Sequence, residues 1–164
     1  MRKIYITNRC PFSGKSTWAV KNFAPEQIIE SDLHKYDNER NGKDLTSYLC
    51  YLATFICNGD CVITQTNNSL QNFKRYKEIL DSLHEHLADP NYELIIVNFE
   101  LSLEDIKANR AESNRYKRDF KKEDRLEWYY KIWKNNIEQI KQCKDWTCIS
   151  VHRKESSSLN SFLE

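Results

Sequence analysis

The feature that most limits how this chain can fold is the stretch Cys10-Pro11-Phe12-Ser13-Gly14-Lys15-Ser16-Thr17, set between two runs of different local preference. Before it, Lys3-Ile-Tyr-Ile-Thr7 is β-branched and aromatic and reads as a short strand. After it, residues 15–23 read as a helix that stops near Pro25. A strand that passes through a glycine-bearing turn into a helix points backbone N–H groups outward, where the helix dipole also favours negative charge. The stretch approaches the pattern Gly-x-x-x-x-Gly-Lys-[Ser/Thr], with Arg9 at the first glycine position. Arginine lacks the backbone freedom of glycine. The chain has three glycines, Gly14, Gly42 and Gly59, where average usage is about 7%. In so glycine-poor a chain, Gly14 directly before Lys15-Ser16-Thr17 carries information. In this pattern Ser13 and Gly14 bring backbone to phosphate oxygens, and Lys15 reaches the β and γ phosphates. Ser16 offers its hydroxyl to Mg²⁺, and Thr17 adds an α-phosphate contact. The ligands expected are therefore ATP and Mg²⁺, with Ser16 as the metal-binding residue.

The rest of the chain continues the alternation. Gln27-Ile28-Ile29-Glu30 reads as a second strand, and residues 44–57 as a helix with Leu45, Tyr48, Tyr51, Leu52 and Phe55 near one face. Asn58-Gly59-Asp60 is a turn, and Cys61-Val62-Ile63-Thr64 a third strand. Ser69 caps a long helix reaching about residue 87. Tyr92 to Phe99 is the strongest strand, and its apolar run predicts a buried parallel one. Residues 102–112 read as helix, 113–122 as polar and basic without a period. Residues 124–142 form a last long helix with Leu126, Tyr130, Trp133, Ile137 and Ile140 on one stripe. Residues 146–151 close as a fifth strand. Alternation of this kind predicts an α/β, P-loop kinase-like, three-layer fold with a five-stranded, mainly parallel sheet and helices on both faces. Ligands then gather at the carboxyl ends of the strands. One domain is expected over 1–152, including a basic lid at about 108–122, with a loose tail over 153–164.

Composition narrows the alternatives. The chain has 164 residues, 40% hydrophobic and 30% charged, which suits one globular domain. No apolar run approaches the ~18 residues of a membrane helix, and no signal peptide is visible, so a cytoplasmic location and no membrane partner are expected. The six cysteines include no Cys-x-x-Cys pair, and read as reduced thiols rather than zinc ligands. The formal net charge is +1, yet Lys and Arg outnumber Asp and Glu between Lys107 and Arg125. Such a block suits a solvated face or contact with a polyanion. His84 and His86, two apart on a helix, point to different faces and do not pair as metal ligands.

Arg9-Cys-Pro-Phe-Ser-Gly-Lys-Ser-Thr-Trp-Ala19 resembles the phosphate loop of 5′-hydroxyl polynucleotide kinases of the phage type, where Gly-Cys-Pro-Gly-Ser-Gly-Lys-Ser-Thr-Trp-Ala is typical. The resemblance runs in order along most of the chain and covers a kinase domain only. It implies that Asp32, in Ile29-Glu-Ser-Asp-Leu-His-Lys35, is the general base for the attacking 5′-hydroxyl. A carboxylate at a strand's carboxyl end, facing the γ-phosphate, suits that role independently. It implies that Lys35 stands where the family has an arginine gripping the acceptor phosphate; lysine keeps the charge but not the fork. The run Thr64-Gln65-Thr66-Asn67 matches the family's Ser-Asp-Thr-Asn except that Gln65 replaces the acid. Gln65, Thr66 and Asn67 are thus the acceptor-side candidates. Lid arginines are implied at Arg110, Arg115 and Arg118, with Arg115 best placed to act with Lys15 and Asp32 on the transferring phosphoryl group, and Arg110 and Arg118 against the nucleotide. Trp128 and Tyr129 stay open as base-stacking residues, whereas Tyr130 and Trp133 fall on the core stripe.

Three readings follow. The first is ATP-dependent phosphorylation of the 5′-hydroxyl of a nucleic acid. The second is a small-molecule kinase acting on a nucleoside or nucleotide, for which Gln65 leaves room. The third is a nucleotide-binding pseudokinase, suggested by Arg9 and Gln65. Oligomeric state is not legible in the sequence.

Overall fold

In the computed structural model, residues 1–9, 15–30, 56, 59–64, 69–112 and 125–152 are described, with 15–17, 30 and 112 described by backbone only. Five strands make one sheet: β1 (Arg2–Asn8), β2 (Ile28–Glu30), β3 (Cys61–Thr64), β4 (Tyr92–Phe99) and β5 (Thr147–Val151). Their order is β2-β3-β1-β4-β5, and all four pairings are parallel. Four helices are described: α1 (Lys15–Asn22), α2 (Leu70–His84), α3 (Leu103–Glu112) and α4 (Leu126–Gln142). The expected helix at 44–57 lies outside the described residues except for Ile56, which is helical and buried. The tail at 153–164 and the proposed lid beyond Glu112 also lie outside them.

β1 and β4 are the centre of the sheet because both faces of each must be covered. Side chains alternate across a strand, and here both sets are apolar. Tyr5, Val62, Ile95, Val97 and Phe99 pack with Trp18, Ala19 and Phe23 of the α1 segment, Leu101 and Ile106 around α3, and Leu126, Trp133 and Ile137 of α4. Ile4, Ile6, Ile29, Ile63, Leu94 and Ile96 pack with Phe73 and Leu80 of α2, and with Ile56, Ile140 and Trp146. Helices therefore cover both sets. Trp18 sets the angle of α1, meeting Phe99 edge-on at 5.7 Å and Phe23 at 5.7 Å.

The ends of the elements follow local rules. α1 stops before a 3-10 turn at Pro25–Gln27, one residue ahead of β2, which is why the second strand begins at Ile28 rather than Gln27. Ser69 caps α2, its hydroxyl accepting from Asn72 N at 3.2 Å. Ser102 does the same for Asp105 N at 3.1 Å as α3 begins. The turn before β3 has Gly59 at φ 113°, a conformation open to glycine and strained for other residues. α2 ends at His84, which is buried against the start of β4: its ring stacks on Tyr92 at 4.1 Å and its Nδ1 donates to Leu80 O at 2.7 Å. Tyr92 in turn donates to Asp81 at 2.6 Å, and Lys77 holds the same carboxylate at 2.7 Å. His84 is thus a core histidine.

Candidate functional site

The strand order turns back on itself at β1. The chain leaves β1 for β2 on one side, returns through β3, and crosses to β4 on the other. In open α/β sheets that reversal leaves a crevice at the carboxyl ends of the strands. Here those ends carry a layer of buried polar residues above an otherwise apolar sheet: Thr7, Asn8 and Arg9 from β1 and its end, Thr64 from β3, and Asn98 from β4.

The register explains the layer's centre. Asn8 and Asn98 are direct partners in the β1–β4 pairing, and both are fully buried. Asn8 Nδ2 donates to Asn98 Oδ1 at 2.6 Å. That bond ties the two central strands two residues before the Cys10–Thr17 stretch begins. Asn8 Oδ1 and Asn98 Nδ2 have no hydrogen-bond partner of normal geometry among the described residues. The Cys148 thiol lies beside Asn98; burial pushes that thiol up, and the Asn98 amide partly offsets the effect. On the other flank Thr64 Oγ1 donates to Ile29 O at 3.3 Å, joining β3 to β2. Arg9 is 5% exposed, so its charge is held at this edge rather than in bulk water. No Asp or Glu is among the buried described residues. The layer at the loop's root thus holds one guanidinium, two amides and two hydroxyls.

Beyond β4 the acidic Glu100 is held in place. Its N–H donates to Val151 O at 2.8 Å and its carboxylate accepts from Lys141 Nζ at 2.5 Å. Burial pushes this carboxyl up, but the hydrogen bonds from Lys141 and Ser150 and the Lys141 charge outweigh it, so it stays below its usual range.

The sequence-derived residues divide as follows. Lys15, Ser16 and Thr17 form the first turn of α1, so their backbone N–H groups belong to a helix start that follows β1 after six residues. Arg110 is in the last turn of α3, half-buried. Ser13, Gly14, Asp32, Lys35, Gln65, Thr66, Asn67, Arg115 and Arg118 lie outside the described residues; Gln65 directly follows Thr64 at the end of β3. The asparagine pair was not singled out from the sequence. Its signal was there, as an asparagine just past the apolar stretch of each of two strands. Among the described residues, no group of three or more His, Cys, Asp or Glu is placed to hold a metal ion, and no helix is long and apolar enough to cross a membrane.

The chain's sequence matches no protein-family profile and no curated protein. Solved structures do match. A candidate kinase from Chloroflexus aurantiacus superposes with a TM-score of 0.55 at 11% identity, covering 99% of this chain and 92% of that one. A sugar kinase from Janibacter, solved without ligand, gives 0.55 at 15% identity, covering 99% and 94%. The fold is P-loop kinase-like. At these identities the likeness is one of architecture: a five-stranded parallel sheet with the first helix leaving the central strand.

Proposed function

We propose that this chain is an ATP-dependent kinase that transfers the γ-phosphoryl group to the 5′-hydroxyl of a polynucleotide. The observation that carries the proposal is the position of Cys10 to Thr17. The stretch links β1, whose end is followed by the buried Arg9, to α1 at the point where the strand order reverses. A triphosphate fits there on chemical grounds, since helix-start amides and a cation both favour an anion. Ser16 is the residue that would hold Mg²⁺, which would supply neutralisation of the developing negative charge. Lys15 would hold the β and γ phosphates. Asp32 would take the proton of the attacking hydroxyl as its oxygen bonds to phosphorus and ADP departs. Arg115 would stabilise the charge that develops on the transferring group. Lys35 and the Gln65-Thr66-Asn67 run would orient the acceptor.

The polynucleotide acceptor is supported by the resemblance of Arg9 to Ala19 and by the excess of Lys and Arg between Lys107 and Arg125. Gln65, standing where that family has an aspartate, favours the second reading, a nucleoside or nucleotide acceptor. The test is transfer of labelled phosphate from ATP to a 5′-hydroxyl oligonucleotide, with Lys15→Ala as the comparison. The expected result is transfer by the wild type and a loss of at least a hundredfold in the variant, in line with removal of a transition-state charge contact. Equal transfer by both proteins would sink the assignment. Transfer to nucleosides but not to oligonucleotides would select the second reading. Tight ATP binding with no transfer, not rescued by Arg9→Gly, would select a pseudokinase.

A further inference from the structure

Of the four tryptophans, three are buried: Trp18, Trp133 and Trp146 are 2%, 4% and 8% exposed. Trp128, in the first turn of α4, is 55% exposed. A large aromatic left in water on a helix whose other face is fully used by the core needs a reason.

The residues that share its face supply one. At about 100° per residue, Arg125, Lys131, Ile132, Asn135 and Gln139 all fall within about 60° of Trp128 around the α4 axis. All five are exposed. The strip thus offers an aromatic plane, two cations, two amides and one aliphatic side chain. Acidic residues stand outside it. Glu138 lies about 80° away and Glu127 about 100° away, and Glu127 is already paired with Lys107 of α3 at 2.8 Å. That pair also anchors the first turn of α4 to the helix that leaves the carboxyl end of β4. Tyr129 meets Trp128 at 5.1 Å with the rings steeply inclined, and Trp128 still keeps 55% of its surface exposed.

We propose that this outer face of α4 docks the single-stranded acceptor. Trp128 stacks on an unpaired base, Arg125 and Lys131 meet flanking phosphates, and Asn135 and Gln139 bond sugar or base edges. The proposal rests on the polynucleotide reading above and deepens it by naming the strand-binding surface. Charge decides between occupants. A two-fold contact with a second copy would set the same cations against each other, and an acidic peptide would leave the indole plane without a flat partner. A single strand satisfies both the planar aromatic and the two charges. A duplex hides its base faces and cannot stack in this way.

The test uses a twelve-residue oligothymidylate with a free 5′-hydroxyl and a 3′ fluorophore, measured both by anisotropy and as a phosphorylation substrate. Thymidine 3′-monophosphate is the short acceptor, with no downstream nucleotides to engage the strip. Trp128→Ala is expected to weaken oligonucleotide binding and raise its KM by about 5- to 150-fold, the value of one base stack. It should leave the KM for ATP and the rate with thymidine 3′-monophosphate unchanged. Trp128→Phe should recover most of the loss. Arg125→Gln combined with Lys131→Gln should flatten the plot of log K against log salt by about 1.4. Unchanged oligonucleotide affinity in Trp128→Ala, in a variant with native circular dichroism, overturns the docking strip whatever the kinase result. A shift from dimer to monomer in Trp128→Ala by sedimentation, with oligonucleotide binding intact, overturns it in favour of a second copy. Wild type that binds the oligonucleotide through Trp128 but phosphorylates only thymidine 3′-monophosphate supports the strip and overturns the polynucleotide acceptor.

Discussion

Replacing Asn98 by alanine tests the idea that the polar layer at the carboxyl edge is a tie between β1 and β4. Both asparagines are fully buried and their 2.6 Å bond crosses directly between registered partners. Truncating Asn98 removes that bond and leaves the Asn8 amide buried with neither its donor nor its acceptor satisfied. Leaving such a group unpaired costs about 1–3 kcal/mol, beyond the small net worth of the bond itself. A loss of about 2–3 kcal/mol is expected, and Asn8→Ala should cost about the same. At about 2–4 °C per kcal/mol for a chain of this size, Tm falls by about 4–12 °C in each single variant. The double variant should lose less than the sum by about 1–2 kcal/mol, because the second substitution removes the very group that the first one stranded. Urea and thermal unfolding followed by circular dichroism measure all three. If the two losses add to within about 0.5 kcal/mol, the asparagines are not coupled and the argument is wrong. A functional arm uses Leu80→Ala, a core substitution in α2 with a comparable cost of about 2–5 kcal/mol. Asn98→Ala should weaken ATP binding more than Leu80→Ala, since only the former loosens the strand from which the phosphate loop springs.

Two further expectations concern titration and reactivity. Burial lowers the pKa of His84, the hydrogen bond to Leu80 O opposes the shift, and the Arg2 charge adds to it. The unfolded chain therefore binds the extra proton first as pH falls. Stability is full above about pH 6.5 and declines below it until the folded form also protonates; unfolding at pH 5.5 and 7.5 should show this, and His84→Gln should flatten the difference. The Cys61 thiol is pushed up to about 12 by burial, with the Asp60 charge adding to it. Iodoacetamide at pH 8 should leave Cys61 unmodified in the native chain and alkylate it in urea, as mass spectrometry of the peptides would show; rapid native labelling would contradict the packing described for β3.

Much of the architecture was legible in the residues because periodicity is a local property. The apolar run at Tyr92 to Phe99 requires a strand covered on both faces, and β4 is one. Ser69 was recognisable as a cap because a side-chain hydroxyl before an amphipathic run satisfies nearby amides whatever the rest of the chain does. Boundaries moved where neighbours compete: Pro25 draws Gln27 into a 3-10 turn that the residues alone did not disclose. The role of Trp128 also could not be settled locally, since Tyr130, Trp133 and Trp128 all lie in one helical run. The stripe already put Trp133 in the core, where it is buried, but only packing shows that Trp128 stays out in water.

By itself, the sequence determined that a glycine-poor chain would lead a strand through Ser13-Gly14-Lys15-Ser16-Thr17 into a helix, because backbone preference and helix-start chemistry act over a few residues. Tertiary structure alone decided that this strand is central, that the order reverses there, and that Asn8 faces Asn98. Strand order and register arise from contacts between residues ninety positions apart, and no local rule reaches so far. The same long-range packing buries Arg9, which stands in glycine's place at the end of β1.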